Sequence, residues 1–445
     1  MSRPVVVGGG VAGLVAARAA SHAGEDVTVL EASGEWGGSV AHVRLGDLAV
    51  DIGAESFARR GTAVAELARA LELEVVEPAQ EGAWLDFGGR HARPLPPGLL
   101  GIPASPLSDE VRAAIGTGPA IRAWLDRIIP ELRIGRYPDL GSLVRRRMGR
   151  TVLDSLVAPV VRGVYGIDPD DADLDVLLPG LNGAVTQTGS LSAAVTRLGA
   201  AAPAGSAVLG IRGGIHRLAL ALVGDLRRSG VRLVSDTALE RWKQDGDGWE
   251  LTTAVETLRA DRVVLATGGA GARNLLAQVE PEAVPTEWPA GRDTAAFALI
   301  IDAPELDSAP RGTGVLAVDP PAGTASALTH SSLKWPWLRE SLPAGRHVLR
   351  LNYPGSRLPS VVDAVRDASR LLGVPLDAKR VVASGGRVWK QDAPRARRGV
   401  REKEVRMVES LAAVPGLAVT GSWIAGTGLA AVVPHARDAG SRASN

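Results

Sequence analysis

The sequence predicts an α/β fold that combines a nucleotide-binding type of parallel sheet, a separate antiparallel sheet and a helical insertion. The apolar run Pro4–Val7 leads directly into the glycine turn at 8–13, and helical spacing follows over 14–21. Stretches with strand-like alternation occur within 294–351, whereas the spacing over about 107–200 is mainly helical. These three observations favour a Rossmann-like domain with two additions.

The glycine turn carries the spacing G-x-G-x-x-G at Gly8, Gly10 and Gly13. Gly8 allows the tight turn, Gly10 lets the backbone approach a pyrophosphate, and Gly13 lets the next helix pack closely on the sheet. Free N–H groups at the helix start, beside Val11 and Ala12, would face the anion. Small residues also fill turns for purely steric reasons, so the expected dinucleotide depends on the segments that follow.

A carboxylate follows the second predicted strand. The run 26–30 ends at Glu31, at about the distance from the fingerprint at which an acidic side chain binds ribose hydroxyls. Glu31 would repel a ribose 2′-phosphate, which argues against a phosphorylated ribose. Glu31 and the adjacent Ala32 are therefore predicted cofactor contacts, and the alternative is a solvated glutamate at a strand end.

Two further tight segments distinguish FAD from NAD. Gly37, Gly38 and Ser39 form a second glycine turn, and a third segment contains the run Gly53, Ala54, Glu55 and Ser56. Here the sequence resembles the flavin amine oxidase superfamily, in which these segments line bound FAD. Most members have Arg or Lys where this chain has Ser39, so one cationic contact is expected to be missing. The predicted cofactor is FAD.

Length and composition fit a globular protein of two or three interleaved domains. A chain of 445 residues is too long to fold around one ordinary core. Its contents of 45% hydrophobic and 22% charged residues are typical of globular proteins. The net charge of +1 argues against nucleic-acid binding, which would need a broader basic excess with interleaved aromatic residues. The arginine clusters at 59–60, 145–147 and 395–401 instead fit solvated faces or a cleft for an anionic small-molecule substrate.

Residue counts and hydropathy exclude several classes of site. There is no Cys, and the seven His lack metal-ligand spacing, so neither a disulfide nor a metal site is expected. The first strand begins within four residues, which leaves no room for a signal peptide, and no apolar run approaches the roughly 18 residues of a membrane span. The expectation is a cytoplasmic monomer or homodimer without an integral membrane segment.

The other elements are predicted from apolar spacing and turn residues. Helices are expected at 62–73, 109–115, 120–129, 140–148, 151–161, 190–198, 358–372 and 400–412, with one ending at 229 and one opening at 426–430. Strands are expected at 231–235, 261–267, 294–301, 314–318, 326–329, 347–351 and 381–388, with a hairpin at 83–90 and a proline-rich crossing at 94–106. The predicted FAD-binding domain comprises residues 1–60, 205–275 and 380–445, the substrate-binding domain 61–95 and 276–379, and the helical insertion 96–204.

Within the superfamily the chain is most similar to the porphyrinogen oxidases, which include protoporphyrinogen oxidase and the coproporphyrinogen III oxidase of Gram-positive bacteria. The similarity extends along nearly the whole chain. The segments that carry it are 53–60, 143–166, 212–215, 260–267 and 331–335. The resemblance implies the amine oxidase type of architecture, with a Rossmann-like FAD-binding domain, an antiparallel-sheet substrate domain and a helical insertion.

Three segments depart from the family pattern. A Leu-Pro-Gln-Tyr-like stretch usually follows the tryptophan at Trp389, where this chain has 390–399, and a Gly-Val-Gly-Ile-Pro stretch is replaced by 426–430. The turn after Thr267 is Gly-Gly instead of one that contains proline. The first two segments are expected to border flavin or substrate.

The resemblance implies oxidation of a cyclic tetrapyrrole, with hydride moving from a methylene bridge to flavin N5 and O2 reoxidising the flavin to give H2O2. Substrate propionates would pair with cations, for which Arg59, Arg60 and Lys334 are candidates. Arg60 and Lys334 are also the catalytic candidates, although no catalytic residue is certain. The alternatives are helix capping for the arginines and an exposed sheet end for the lysine. Trp335 and Trp389 are candidate walls of a flat cavity, with core packing as the alternative.

Later segments complete the predicted cofactor contacts. They are Ala238, Ala266, Thr267, Gly268, Trp389, Gly421, Ser422, Thr427, Gly428 and Leu429. Two other features are expected to have structural roles only. His216 is interpreted as a surface or capping histidine, and the arginine-dense segment 141–149 as a solvated helix face.

Two other functions stay open. One is a flavin oxidase of the same fold that acts on an amine or a specialised metabolite, and the other is a flavin-binding protein without turnover. An aromatic cage would favour an amine, and a wide flat cavity rimmed by arginines would favour a porphyrinogen.

Overall fold

A five-stranded parallel sheet forms the centre of the nucleotide-binding part. The computed structural model describes residues 2–59, 61–88, 91–128, 136–199 and 208–441. Across the sheet the strands follow the order Arg232–Val234, Thr28–Leu30, Pro4–Val7, Arg262–Leu265 and Leu417–Val419. In the central strand Val6 pairs with Val29 on one side and Val264 on the other. The predicted Rossmann-like sheet is confirmed.

Both faces of this sheet are covered, as is usual for parallel sheets. Val6 faces one layer and its neighbours Val5 and Val7 face the other. The first layer contains the helices Val11–His22, Ala63–Ala70, His216–Arg228 and Leu429–Ser441. The second contains the helices Gly269–Val279 and Val400–Leu411 and the three-stranded sheet Leu239–Asp245, Gly248–Thr253 and Thr257–Ala260.

A seven-stranded sheet forms the second part of the fold. Its order is Val381–Gln391, Arg292–Asp302, Arg346–Pro354, Ala327–His330, Gly314–Ala317, Ala83–Asp86 and Ala92–Pro94. All neighbours are antiparallel except Gly314–Ala317 and Ala83–Asp86, which run parallel. The predicted antiparallel sheet is thus confirmed apart from one mixed pair.

The two faces of the seven-stranded sheet pack on different partners. Leu349 and Leu351 of strand Arg346–Pro354 belong to a core with helix Val361–Leu372. Val348, on the opposite face, packs with the hairpin His42–Leu45 and Leu48–Asp51. This hairpin therefore joins the nucleotide-binding part to the second sheet.

The helical insertion has its own core. Its helices are Asp109–Ile115, Thr117–Trp124, Leu125–Arg127, Leu140–Met148, Arg150–Val152, Leu153–Val157, Ala158–Tyr165, Pro169–Asp171, Leu174–Leu177, Leu181–Thr188 and Leu191–Arg197. The helix predicted to end at residue 161 continues to Tyr165, because Pro159 lies in the first turn of its last segment, where no N–H donor is needed.

The interpretation of segment 141–149 as a solvated face is wrong for Arg147. Its side chain is 1% exposed and its Nε donates to the fully buried Asp126 at 2.5 Å. Arg145 does lie at the surface, paired with Asp170 at 2.7 Å. The helix therefore holds one internal ion pair that its arginine-rich sequence hides.

Short elements connect the larger ones. They are the strands Phe57–Ala58, Val75–Val76, Gly98–Leu99, Ile102–Pro103 and Val208–Ile211, and the helices Pro304–Ser308, Ser331–Lys334, Pro336–Glu340, Ala378–Arg380 and Ser422–Ala425. Strand Val381–Gln391 pairs with Arg292–Asp302, so it extends the second sheet although the predicted domain boundary lies at residue 380. The domain division stays a prediction. Within the described ranges no helix is both long and apolar enough to cross a membrane.

Candidate functional site

The first glycine turn leaves space for a ligand at one position. A Cβ atom at Gly13 would lie 1.8 Å from the carbonyl oxygen of Gly8, so this glycine is required by the fold itself. At Gly10 the nearest atom would be Gly38 Cα at 3.9 Å. The protein therefore does not require a glycine at Gly10, whereas a bound pyrophosphate would.

The other two glycine segments lie beside the first. The Gly37 N–H donates to the Gly9 carbonyl at 2.8 Å, and the Ala54 N–H donates to the Ser39 carbonyl at 2.9 Å. A Cβ atom at Gly53 would lie 1.9 Å from the same Ser39 oxygen. The structure thus brings the three glycine segments, 8–13, 37–39 and 53–56, into direct contact.

Glu31 lies at the entrance to the glycine turn. Its carboxylate accepts hydrogen bonds from the Gly9 N–H at 2.7 Å and from the N–H and hydroxyl of Ser33, both at 2.8 Å. Its carbonyl accepts from the Thr237 N–H at 2.9 Å, which brings the exposed Ala238 close to the exposed Ala32. The predicted role of Glu31 at a ribose stays a prediction.

The turn after strand Arg262–Leu265 and the neighbouring short helix Ser422–Ala425 each contain a polar atom without a partner. Thr267 Oγ1 and Trp423 Nε1 are buried and make no hydrogen bond. A Cβ atom at Gly421 would lie 3.3 Å from that indole nitrogen and 3.4 Å from the Thr267 carbonyl oxygen. Because buried polar atoms are normally paired, these two atoms are available to a cofactor, and the residues here fit FAD.

Two more of the predicted cofactor contacts, Ala266 and Leu429, lie beside the first glycine turn and the helix that follows it. A Cβ atom at Gly8 would lie 2.7 Å from the Ala266 carbonyl oxygen. Leu429 shares a hydrophobic core with Val11 and Ala12. The others differ in exposure: Ser56 is half-buried, and Gly268, Ser422, Thr427 and Gly428 are exposed.

Glu55 is the centre of a buried polar cluster. Its carboxylate accepts hydrogen bonds from Ser331 Oγ at 3.0 Å, Trp335 Nε1 at 3.0 Å and Lys334 Nζ at 3.3 Å. Burial alone would raise the pKa of Glu55, but the positive charges of Lys334 and Arg350 hold that pKa below its ordinary value. The carboxylate is therefore ionised, and both of its oxygens already accept hydrogen bonds within the protein.

This cluster decides where two predicted substrate residues lie. Lys334 pairs with the carboxylate of Glu55 inside the protein, and its predicted role toward a substrate stays a prediction. Trp335 is 3% exposed and packs against Gly210, where a Cβ atom would lie 2.5 Å from its ring. Core packing therefore accounts for Trp335.

The two arginine candidates are not brought into this cluster. Arg59 forms an ion pair with Glu77 at 2.7 Å, and both side chains are about half exposed or more, at 49% and 60%. Arg60 lies outside the described residues. Their roles toward a substrate stay predictions.

Trp389 lies against the third tight segment, 53–56, which is predicted to line FAD. Its Cζ2 atom would lie 3.2 Å from a Cβ at Gly53, and the guanidinium of Arg387 lies 4.6 Å from its ring centroid. Arg387 also pairs with Glu35, in the second glycine segment. Trp389 and Arg387 thus form a half-buried wall at this junction.

The divergent segment 390–399 packs against two other parts of the chain. Asp392 pairs with Arg273 at 2.7 Å, and the Asp173 N–H of the helical insertion donates to the Ala396 carbonyl at 2.7 Å. A Cβ atom at Gly269 would lie 2.0 Å from Asp392 Oδ2. The Gly-Gly turn after Thr267 and the segment after Trp389 are therefore fitted to one another.

His216 is buried, so its interpretation as a surface histidine is wrong. Its Nδ1 lies 2.7 Å from Asp51 Oδ1, and Asp51 also accepts the N–H groups of Ile215 and His216. Asp51 is thus the acceptor at this helix start. One indication of this role for Asp51 was present in the sequence, since Asp51 lies two residues before Gly53 of the third tight segment.

Sequence reasoning also missed Arg350, which lies 3.8 Å from Glu55. The sequence does show one arginine among the Val and Leu residues that follow His347 in the predicted strand 347–351. The contact itself could not be predicted because it joins strand Arg346–Pro354 to the loop between strands Leu48–Asp51 and Phe57–Ala58, far away in the sequence.

Comparison with known proteins agrees with this geometry. The model of the family described as flavin containing amine oxidoreductase matches residues 11–445. The coproporphyrinogen III oxidase of Propionibacterium freudenreichii subsp. freudenreichii is 30% identical, with 97% of this chain and 89% of that protein covered. The coproporphyrinogen III oxidase of Bacillus subtilis strain 168 is 24% identical, with 96% of this chain and 94% of that protein covered.

A solved structure supports the same fold. A protein of Exiguobacterium sp. 255-15, provisionally named a protoporphyrinogen oxidase, superposes with a TM-score of 0.83 at 23% identity, covering 98% of this chain and 97% of that one. The chain therefore belongs to the flavin-containing amine oxidoreductase family, with coproporphyrinogen III oxidases among its relatives, and it is an FAD-dependent oxidase.

Proposed function

We propose that this oxidase converts a porphyrinogen to a porphyrin, with coproporphyrinogen III as the first candidate substrate. The observation that carries the proposal is the similarity, along nearly the whole chain, to relatives named coproporphyrinogen III oxidase. Protoporphyrinogen IX is the second candidate, because it presents the same methylene bridges with fewer carboxylates.

FAD, when bound, would supply the two-electron chemistry by taking a hydride from a bridge carbon and passing the electrons to dioxygen, which would give H2O2. The pyrrole nitrogen beside that carbon releases its proton as the hydride leaves, so little acid–base assistance is needed. The protein's task is then to hold the substrate against the cofactor.

The residues around the site fit this limited role. Glu55 is ionised and accepts three hydrogen bonds, so it is not poised to take a substrate proton. Asp51 is bound to His216 and to a helix start. These two carboxylates therefore hold neighbouring side chains and a helix start in place. Trp389 offers an aromatic wall beside the segment 53–56.

The test is aerobic turnover of the FAD-loaded enzyme. Coproporphyrinogen III and protoporphyrinogen IX are supplied separately, and porphyrin fluorescence and H2O2 are measured against a reaction without enzyme. The proposal predicts that porphyrin and peroxide appear together, at one H2O2 for each pair of electrons removed. Porphyrin formation at the spontaneous rate with both substrates would contradict it.

A second candidate, oxidation of an amine or a specialised metabolite, is favoured by the divergent segments 390–399 and 426–430. Putrescine and cyclohexylamine in the same peroxide assay test the amine form of this alternative. Peroxide from an amine, without turnover of either porphyrinogen, would select it.

A further inference from the structure

Two partly buried cations share one carboxylate where the nucleotide-binding part meets the second sheet. Lys334 Nζ lies 3.3 Å and Arg350 Nη1 lies 3.8 Å from the same oxygen of Glu55, Oε2. In the part of the chain that the structure describes, Glu55 is the carboxylate within ion-pair distance of Arg350. The cluster therefore carries an excess of one positive charge.

Arg350 is the incompletely paired member. Lys334 and Glu55 are within hydrogen-bond distance, whereas Arg350 is beyond it, and its buried Nε has no hydrogen-bond partner. The Arg350 side chain is only 12% exposed. A guanidinium withdrawn from water with unused donors is costly, so a second anionic group is expected to complete its coordination.

The position of Arg350 in the sheet indicates where that anion would come from. Val348, Arg350 and Asn352 project from one face of their strand, because side chains alternate along a strand. Val348 is buried beneath the hairpin at 42–51, whereas Asn352 and the neighbouring Thr329 are only half-buried. Arg350 thus lies where the packed part of this face ends.

The same face leads to the flavin-side segment. Register across the sheet places Asn352 opposite Ala296 and Ala296 opposite Arg387, two residues before Trp389. Trp389 contacts Gly53, and Glu55 follows two residues later. The path across this face from Arg350 to Trp389 therefore crosses the small side chain of Ala296 and ends beside the segment 53–56, which is predicted to line FAD.

We propose that Arg350 is a specificity-determining residue that binds a carboxylate of the substrate, with Glu55 and Lys334 fixing its position. Arginine binds carboxylates in a bidentate manner, which suits one propionate of a porphyrinogen. Glu55 orients the two cations and leaves one positive charge for the substrate. This inference rests on the proposed function and adds to it the residue that selects the anionic group.

The test compares an acid with its neutral ester. Steady-state kinetics are measured for wild type, Arg350→Gln and Arg346→Gln, with coproporphyrinogen III and with its tetramethyl ester. Arg346 is a matched control because it lies on the same strand but is paired with Asp302 at 2.7 and 3.1 Å. Melting temperature and bound FAD are measured for each variant.

Wild type is expected to favour the acid over the ester. Arg350→Gln should raise KM for the acid about 10- to 100-fold, the loss expected for a charged hydrogen-bonded contact, with little change in kcat or in ester kinetics. Arg346→Gln should behave as wild type. If Arg350→Gln does not fold, Arg350→Lys keeps the charge without the bidentate fork and should raise KM for the acid by a smaller factor.

The outcomes separate the two proposals. An acid-to-ester preference that is unchanged in Arg350→Gln, or in Arg350→Lys where that variant is used, overturns the inference and leaves the proposed function intact. A wild-type enzyme that oxidises neither porphyrinogen form contradicts the proposed function and this inference with it. A loss of acid and ester turnover together, with FAD retained, means that Arg350 is structural and also overturns the inference.

Discussion

Gly10 and Gly13 belong to one motif but are glycines for different physical reasons. Any side chain at Gly13 would overlap the Gly8 carbonyl, whereas the space beside Gly10 is open. The backbone of Gly10 has φ −68° and ψ 171°, which alanine adopts without strain. The requirement at Gly10 therefore comes from the cofactor, and the requirement at Gly13 comes from the fold.

Gly10→Ala is accordingly expected to spare stability and to damage cofactor binding. Without FAD, the free energy of unfolding should be unchanged or higher by about 0.4–1 kcal/mol, because alanine restricts the unfolded chain. The dissociation constant of FAD should rise at least about 10-fold, since a methyl group would occupy the approach to the pyrophosphate. Urea unfolding of apoprotein and a flavin fluorescence titration measure the two effects.

Gly13→Ala is the control for this pair. Its methyl group would clash within the protein. Unlike Gly10→Ala, this change should therefore lower the unfolding free energy of the apoprotein. Wild-type FAD affinity in Gly10→Ala would show that the cofactor does not approach this residue.

The buried pair His330 and His347 gives stability a pH dependence. Their ring nitrogens lie 2.9 Å apart, and burial, together with the charges of His347 and Arg339, lowers the pKa of His330 to about 3. The unfolded chain binds this proton at a pKa near 6.5. The contribution of neutral His330 to stability is therefore complete above pH 6.5 and is lost as pH falls from 6.5 toward 3, by up to about 1.4 kcal/mol per pH unit.

His330→Gln should flatten this decline. The unfolding free energy is measured between pH 7.5 and pH 4.5, and the variant should lose less stability over that interval than wild type. His22→Gln is the control, since His22 is 51% exposed beside Asp225. Equal slopes for His330→Gln and wild type would contradict the assignment of a buried neutral His330.

At the scale of helices and strands, the apolar pattern predicted those elements that bury one regular set of side chains. The strand Pro4–Val7 and the helix Val361–Leu372 were predictable because each buries a regular set of apolar side chains. Arg147 was not, because its partner Asp126 lies 21 residues earlier and an arginine-rich segment ordinarily faces solvent. The short helices Leu174–Leu177 and Leu181–Thr188 also escaped prediction, since each spans too few turns to show a period.

The contact between Gly269 and Asp392 shows how two unusual segments depend on one another. Gly269→Ala would place a methyl group 2.0 Å from Asp392 Oδ2, so Asp392 would have to leave Arg273. The expected cost is about 1–3 kcal/mol of unfolding free energy, typical of overpacking. Urea denaturation measures it, and combining the change with Asp392→Ala should reduce the additional cost.

Gly268→Ala is the matched control in the adjacent position. No atom lies within 4 Å of a Cβ there, and its φ of −59° suits alanine. A cost for Gly268→Ala equal to that of Gly269→Ala would mean that the turn, and not the contact with Asp392, sets the requirement.

For the whole molecule, the candidate site arises where the nucleotide-binding part meets the second sheet. The glycine segments were predictable because each has a local sequence pattern with a physical reason. Arg350 and Arg387 were not, because they reach Glu55 and Glu35 across the junction and only the folded chain brings them together. The residues expected to bind the cofactor can thus be predicted from local sequence patterns. The residues proposed to bind the substrate come together only in the tertiary structure.

The central claim is that a porphyrinogen gives its electrons to the bound FAD. Under anaerobic conditions, excess coproporphyrinogen III should bleach the flavin absorbance of the purified enzyme while porphyrin absorbance appears. Dithionite provides the control that the bound FAD can be reduced. Flavin that stays oxidised with both coproporphyrinogen III and protoporphyrinogen IX, yet is bleached by dithionite, would contradict the account.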